Sequence, residues 1–92
     1  MGYQWDPAKA RANLRKHGID VADAVGALED PLALILDDLH PTEGRFISVG
    51  QDFLGRIIVV NWTLRGADLR LFSARAATRT ERRHYEEGHD NA

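Results

Sequence analysis

The spacing of apolar residues in the first third of the chain is helical. It predicts a first helix over residues 7–17, which an Asp-Pro pair begins and Gly18 ends, after a short aromatic strand at residues 3–5. A second helix starts at Asp20 and closes before Pro31, because the residue that precedes a proline avoids helical geometry. The chain therefore opens with one short strand and two helices.

Beyond Pro31 the pattern changes to that of strands. Leu34–Leu36 is a buried run, and longer strand-like segments follow at residues 45–50, 56–65 and 69–75. From Ala76 to Glu87 the pattern is helical again, and Gly88 predicts its end. This order predicts an α+β fold, in which two N-terminal helices and one C-terminal helix pack on an antiparallel sheet of about four to five strands.

Composition narrows the class of protein. The 92 residues predict one domain that covers residues 1–92. The absence of cysteine excludes disulfides, thiolate metal ligands and cysteine nucleophiles. The longest apolar runs are too short to span a bilayer, and the N-terminus has no apolar stretch of signal-peptide length. We therefore expect a cytoplasmic protein that does not bind membranes.

The formal net charge of −2 conceals a strong segregation of charge along the chain. Residues 7–19 carry four lysines and arginines and no acid, whereas residues 20–43 carry seven acids and no lysine or arginine. Residues 44–83 carry eight arginines against three acids. A polyanion responds to the local field rather than to the total, so the charge is compatible with RNA binding. A solvated surface of mixed charge explains the same blocks equally well.

Motifs at the two ends of the chain form a recognisable pattern. The N-terminal motif is Trp5-Asp6-Pro7-x-Lys9-Ala10, followed by Asn13-Leu14-x-Lys16-His17-Gly18-Ile19. The later segments are Gly44-Arg45, Gly50, Arg65, Leu71-Phe72-Ser73-Ala74-Arg75 and Ala77-Thr78-x-x-Glu81-Arg82-x-x-Tyr85. Together, over residues 5–88, these motifs resemble the BrnT family of toxins. Two positions depart from the family pattern: Gly44 separates Glu43 from Arg45, and Phe72 replaces an aliphatic residue.

The resemblance implies a fold, an activity and a partner. The fold would be similar to that of the RelE ribonucleases, and the protein would be the toxin of a bacterial type II toxin–antitoxin module. Its substrate would be RNA, cleaved without a metal or other cofactor. Its partner would be a BrnA-like antitoxin, a dimeric ribbon-helix-helix protein, in an expected heterotetramer. Operator DNA would be contacted only indirectly, through the antitoxin.

RNA cleavage needs cations that stabilise the negative charge that develops on the phosphate. Arginine suits this role because its planar fork stays charged and matches two phosphate oxygens. The best candidates are Arg65 and Arg75, which fall near the ends of predicted strands beside the last helix. An arbitrary arginine in such a place is more often a surface residue that flanks a turn. The family match at Ser73-Ala74-Arg75 reverses that expectation for Arg75.

Cleavage also needs groups that take a proton from the 2′-hydroxyl and give one to the leaving oxygen. The candidates are His17, Glu81 and Tyr85. His17 is equally compatible with a structural role at a helix end, where a cation favours the helix dipole. Glu81 is either a general base or, as we favour, an ion-pair partner that orients Arg75 or Arg82. Tyr85 either donates a proton, stacks on a base or closes the core.

Other cations are candidates for RNA binding alone. Lys9, Asn13 and Lys16 are spaced so that they share one face of the first helix, and the two lysines suit phosphate contacts. Arg45, Arg70 and Arg82 are further candidate RNA-binding residues.

Several other residues are expected to be structural. Ala10, Leu14 and His17 form a neighbouring helix face that we expect to pack on the sheet. Trp5 and Trp62 lie inside strand-like apolar patterns and are expected in the core.

No metal site is predicted from the sequence. His17, His40, His84 and His89 lack the tight spacing of metal ligands. Asp37 and Asp38 are adjacent in a strand, so their side chains point to opposite faces.

Two hypotheses for the function remain. In the first, the protein is an endoribonuclease in which Arg65, Arg75 and Tyr85 converge on one cleft. In the second, the same basic groove serves a non-catalytic module that binds RNA or the antitoxin.

Overall fold

A computed structural model describes residues 2–37 and 44–90 of the chain. Its elements in chain order are β1 (Tyr3–Gln4), α1 (Pro7–His17), α2 (Val21–Glu29), β2 (Leu34–Asp37), β3 (Arg45–Gln51), β4 (Ile57–Arg65), β5 (Asp68–Ala76) and α3 (Arg79–Asp90). Within these ranges no helix is both long and apolar enough to cross a membrane. The predicted α+β fold class is confirmed.

The five strands form one sheet in the order β1-β5-β4-β3-β2. Strands β2 to β5 pair antiparallel with one another, as predicted. Strand β1 departs from the prediction because it pairs in parallel with β5, with Tyr3 opposite Leu69. A tight hairpin forces its two strands to be antiparallel, whereas β1 and β5 are distant in the chain and no turn constrains their direction.

The predicted caps of α1 and α2 are present. Asp6 accepts hydrogen bonds from the backbone N–H groups of Ala8 and Lys9, at 2.8 and 3.4 Å. Gly18 closes α1 with a φ of 70°, which favours glycine, and its N–H donates to the carbonyl oxygen of Leu14. Asp20 caps α2 in the same way as Asp6 caps α1. The local signals in this part of the sequence therefore define the start of both helices.

Apolar residues cover both faces of the sheet, because alternate residues of a strand point to opposite sides. On the first face, Ile58, Val60 and Trp62 of β4 belong to the larger core, which α2 covers. On the second face, Val59 packs with Tyr85 of α3 in a smaller core. Trp62 is buried, as predicted, and Trp5 packs against the edge of the larger core.

The predicted bounds of the last helix are wrong at both ends. Ala76 still belongs to β5, where it pairs with Ile58. The helix begins after Thr78, whose hydroxyl accepts from the N–H of Glu81 while the Glu81 carboxylate accepts from the N–H of Thr78. This reciprocal pair is a capping box, and it places the first turn at Arg79. The helix then continues through Gly88 to Asp90.

Asn13 attaches α1 to the edge of β5 beyond the short segment that pairs with β1. The side chain is 6% exposed, and its Oδ1 accepts from the N–H of Ala74 at 3.0 Å. Its Nδ2 donates to the carbonyl oxygens of Ala74 and Ile19, at 2.9 and 3.0 Å. The amide thus satisfies the strand edge as a neighbouring strand would. The expected packing face of α1 is wrong in part, since Leu14 is 47% exposed and His17 is exposed as well.

Candidate functional site

An open hollow lies where α1 runs beside β5. Its volume is about 240 Å³. It is lined by Lys9, Ala12, Asn13, Lys16 and His17 of α1 and by Phe72 and Ser73 of β5. We call this space the α1–β5 hollow. Its lining contains two lysines and a histidine but no carboxylate, so its local field favours an anion.

The strand side of the hollow is shaped by an irregularity in the β4–β5 pairing. Asn61 pairs with Ser73 and Trp62 pairs with Leu71, which leaves Phe72 as an extra residue without a partner in the ladder. The Asn61 side chain donates to the Ser73 hydroxyl at 3.1 Å, so both lie on the second face of the sheet. The guanidinium carbon of Arg45 lies 5.0 Å from the centre of the Phe72 ring.

Arg75 of β5 adds a further cation beside the α1–β5 hollow. It follows Ser73 by two residues, and so it lies on the same face at a distance of about 7 Å. Its guanidinium donates to both carboxylate oxygens of Glu81, at 2.8 and 2.9 Å, and also to the carbonyl oxygen of Ala76. The Arg75 side chain is 43% exposed. The arginine is therefore oriented by α3 and remains accessible to a ligand.

Glu81 holds Arg75 and caps α3 at the same time. Hydrogen bonds from Arg75 lower the pKa of the Glu81 carboxyl to about 2, and the backbone N–H of Thr78 adds to this effect. A carboxylate with so low a pKa is a poor proton acceptor near neutral pH. This geometry favours the orienting role for Glu81 over that of a general base.

We expect the stability of the protein to reflect this low pKa. A folded-state pKa below the ordinary value of 4.5 means that the unfolded chain binds the proton more tightly. The Glu81 contribution to stability is then complete above pH ~4.5 and is lost as the pH falls towards ~2. The free energy of unfolding, measured by denaturant titration across this range, should fall more steeply for the wild type than for Glu81→Gln. Parallel curves for the two proteins would contradict the assignment.

Tyr85 lies away from any open surface. It is 4% exposed, and its hydroxyl donates to Asp30 Oδ2 at 2.5 Å. The same carboxylate also accepts from the backbone N–H groups of Leu32 and Gln51. Burial raises the pKa of the Tyr85 hydroxyl to about 12, and the hydrogen bond to Asp30 adds to the shift. Of the three roles considered for Tyr85, the structure favours closure of the core.

The substitution Tyr85→Phe tests this interpretation. It removes the hydroxyl that bonds to Asp30, and we expect a loss of about 1–3 kcal/mol in the free energy of unfolding. RNA cleavage by the folded variant should stay within about threefold of wild type, because no proton passes through a buried phenol. Cleavage rates at a temperature where both proteins are folded provide the measurement. A large loss of activity in a stable variant would restore Tyr85 as a catalytic residue.

Arg65 and Arg75 lie at opposite ends of the β4–β5 hairpin. Arg65 pairs with Asp68 beside the turn, whereas Arg75 pairs with Val59. The two positions on β4, Val59 and Arg65, are six residues apart in the strand, which corresponds to about 20 Å. The expectation that Arg65, Arg75 and Tyr85 share one cleft is therefore wrong. It failed because the sequence places both arginines near strand ends without showing that these are opposite ends of the hairpin. Tyr85 is excluded for a different reason, since it lies on the buried side of α3.

The remaining candidate residues are distributed around the sheet. Lys9, Lys16 and His17 line the α1–β5 hollow, and Arg45 reaches its border through Phe72. Arg70 pairs with Thr63 on β4 and Gln4 on β1, two residues before Phe72, but does not line the hollow. Arg82 is exposed on α3 directly after Glu81. The structure therefore brings together the three α1 candidates, Arg45 and Arg75, but neither Arg65 nor Tyr85.

Metal-ligating side chains do not gather anywhere in residues 2–37 and 44–90, where no group of three His, Asp or Glu could hold an ion. His40 and Asp38 lie outside the described residues, as do the side chains of Asp37 and His89. The prediction that the protein works without a metal stays a prediction.

The two β5 contributors to the hollow were missed from the sequence. Ser73 was noted only as part of a family motif, and Phe72 only as a departure from it. The position of both depends on the bulge, which places two successive residues of β5 on the same side. A strict two-residue alternation would have placed Phe72 and Ser73 on opposite faces.

Comparison with known proteins identifies the family of this chain. Residues 5–81 match the family described as the ribonuclease toxin BrnT of the type II toxin–antitoxin system. The 1.1 Å crystal structure of the Brucella abortus ribonuclease toxin BrnT superposes with a TM-score of 0.69 at 26% sequence identity. The superposition covers 86% of this chain and 100% of the Brucella chain. No curated protein sequence gives a significant match. Since the family match spans most of the chain, the protein belongs to the BrnT family of ribonuclease toxins of type II toxin–antitoxin systems.

Proposed function

We propose that the protein is a metal-independent endoribonuclease toxin that binds RNA across the α1–β5 hollow and Arg75. The observation that carries this proposal is the lining of the hollow, which has cations on α1, a hydroxyl and an aromatic ring on β5, and no carboxylate. Arg75 lies two residues further along β5 on the same face as Ser73, with its side chain 43% exposed. Such a surface suits a chain of phosphates with a reacting group among them. The toxin would act in the cytoplasm and slow growth by cutting RNA needed for translation.

The reaction follows from the nucleophile that RNA itself carries. The 2′-hydroxyl oxygen forms a bond to the adjacent phosphorus while the bond from phosphorus to the 5′-oxygen breaks. Arg75 would stabilise the extra negative charge on the phosphate oxygens. His17, Lys9 or Lys16 would take the proton from the 2′-hydroxyl and supply one to the departing 5′-oxygen. The products are a 2′,3′-cyclic phosphate and a 5′-hydroxyl, and no redox or metal step is needed.

The activity is tested by incubating the purified protein with RNA in excess EDTA. We expect cleavage to continue, with 2′,3′-cyclic phosphate ends on the products and no cleavage of RNA whose 2′-hydroxyls are methylated. Cleavage that stops with EDTA and returns with a divalent cation would refute the metal-independent mechanism. An unrelated protein purified by the same steps controls for contaminating nuclease.

A second candidate function is a non-catalytic module that binds RNA or the antitoxin. Two observations favour it: the Tyr85 hydroxyl is buried against Asp30, and Glu81 is held as a weak base by Arg75. Two of the expected proton-transfer groups are thus committed elsewhere. Such a module would retain RNA and leave it uncut under every metal condition, which the same experiment detects.

The expected partner is a BrnA-like ribbon-helix-helix antitoxin that forms a heterotetramer with the toxin. We propose that an acidic or helical segment of the antitoxin covers the surface formed by the α1–β5 hollow and Arg75, and so excludes RNA. Operator DNA would then be bound by the antitoxin alone. A complex that cleaves RNA as fast as the free toxin would show that the antitoxin binds elsewhere.

A further inference from the structure

Phe72 occupies an unusual position for a large apolar side chain. It belongs to neither of the two cores, and it is only half-buried, beside Ser73 on the second face of the sheet. The bulge removes it from the β4–β5 ladder and turns its side chain to the same side as Ser73. Burial of the ring in a core would stabilise the fold more, so its position calls for another explanation.

The surroundings of the ring match the parts of a nucleotide. Phe72 forms part of the wall of the α1–β5 hollow, beside the Ser73 hydroxyl, and Lys9, Lys16 and His17 lie across from it on α1. The volume of about 240 Å³ lies below the usual range for drug-sized ligands, but it suits one flat ring system. The guanidinium of Arg45 lies over one face of the ring, 5.0 Å from its centre, and adds a further cation.

We propose that Phe72 is a stacking platform for one unpaired RNA base, which is seated in the α1–β5 hollow while the flanking phosphates contact the α1 cations. The proposal rests on the proposed function and adds a base-binding subsite to it. An aromatic ring takes any base on its face, whereas the cations hold the backbone on either side. The bases of duplex RNA are stacked on one another and cannot reach the ring. The subsite therefore selects single-stranded RNA.

A protein side chain from a partner is a less suitable occupant of the same space. An aliphatic side chain gains nothing from two lysines and a histidine at its border, and an aromatic one gains only a weak cation–π attraction, whereas a nucleotide carries its own negative charge. The ring suits the base of a nucleotide, and the cations suit its phosphate. A nucleotide therefore uses both parts of the hollow.

The test compares Phe72→Leu with the matched control Phe53→Leu, which changes an exposed phenylalanine in the turn between β3 and β4, beside α2. The probe is a short single-stranded RNA with 2′-O-methyl groups, which cannot be cut, and binding is followed by fluorescence anisotropy. We expect Phe72→Leu to raise the dissociation constant at least about fivefold, as the loss of one base–aromatic stack does. Phe53→Leu should leave it unchanged, and neither variant should alter the weaker binding of duplex RNA.

Phe72→Trp provides a second and independent measurement. It keeps a stacking face, so the affinity for single-stranded RNA should stay within about twofold of wild type. The added indole fluorescence should be quenched by single-stranded RNA beyond the change seen in the wild type, and duplex RNA should leave it unquenched. Thermal unfolding of each variant verifies that it is folded.

The proposal is overturned if folded Phe72→Leu binds single-stranded RNA as tightly as wild type, or if single-stranded and duplex binding weaken equally. It is also overturned if the Phe72→Trp indole is not quenched. In each of these cases, wild-type cleavage in EDTA still supports the proposed function. A wild-type protein that neither binds nor cuts RNA refutes both.

Discussion

Arg75→Ala is expected to lower the rate of RNA cleavage at least about a hundredfold, the size of effect seen when one donor to a developing oxyanion is removed. Arg75 is held by both oxygens of Glu81 and is 43% exposed, so it presents a fixed cation to the face of the sheet that carries Ser73. Alanine removes that charge completely. Arg75→Lys keeps the charge but loses the planar fork, and an intermediate loss is expected. Single-turnover cleavage of a short RNA measures the effect.

Two control variants separate the role of Arg75 in the reaction from its effect on folding. Arg65→Ala removes an exposed arginine from the other end of the same hairpin, and cleavage should stay within about threefold of wild type. Glu81→Gln weakens the ion pair and leaves Arg75 in place, so the variant should lose stability more than activity. If Arg75→Ala cuts RNA at the wild-type rate, or Arg65→Ala is equally impaired, Arg75 is not the cation that stabilises the phosphate.

Asn13→Ala is expected to cause the largest loss of stability among the substitutions considered. The buried amide makes three hydrogen bonds, and alanine leaves the N–H and C=O of Ala74 and the carbonyl of Ile19 without those partners. Each buried group left without a hydrogen-bond partner costs about 1–3 kcal/mol. Water that fills the space left by the side chain bonds to some of these groups, so we expect a total loss of about 2–4 kcal/mol in the free energy of unfolding. In a chain of this size, that corresponds to a fall in melting temperature of roughly 10–25 °C.

The matched comparison for Asn13 is Arg15→Ala, an exposed change on the same helix, which should alter stability by less than about 0.5 kcal/mol. Asn13→Asp is nearly the same shape but places an oxygen against the carbonyls of Ala74 and Ile19. It should therefore destabilise at least as much as alanine. Thermal and denaturant unfolding measure both variants. An Asn13→Ala protein as stable as Arg15→Ala would mean that α1 is held by other contacts.

Local physical chemistry explains why much of the fold was predictable. The caps at Asp6, Gly18 and Asp20 act within one helical turn, so a single stretch of sequence contains all that they need. The continuous apolar run at the start of β4 also reflects only its own two covered faces. The last helix was displaced because Thr78 and Glu81 form a capping box that was not recognised.

The types of side chain in the candidate site were predictable from the sequence, but the sequence did not show which of the candidate residues lie together. Arg75, His17, Lys9 and Lys16 came from family motifs and helical spacing, and the last three line one hollow. Arg65 and Tyr85 matched the same motifs, yet one lies at the far end of the hairpin and the other is buried against Asp30. Motifs report which residues a family keeps and do not distinguish those that fold the chain from those that face a ligand.

By itself, the sequence determined the helices, the strands, the family and the segregation of charge, because these depend on neighbours along the chain or on matched motifs. Three features were decided by the tertiary structure: the parallel pairing of β1, the attachment of α1 to β5 through Asn13, and the bulge that exposes Phe72. Each depends on contacts between residues far apart in the chain, whose free energies no local pattern contains. The α1–β5 hollow exists because the last two of these features occur side by side on β5.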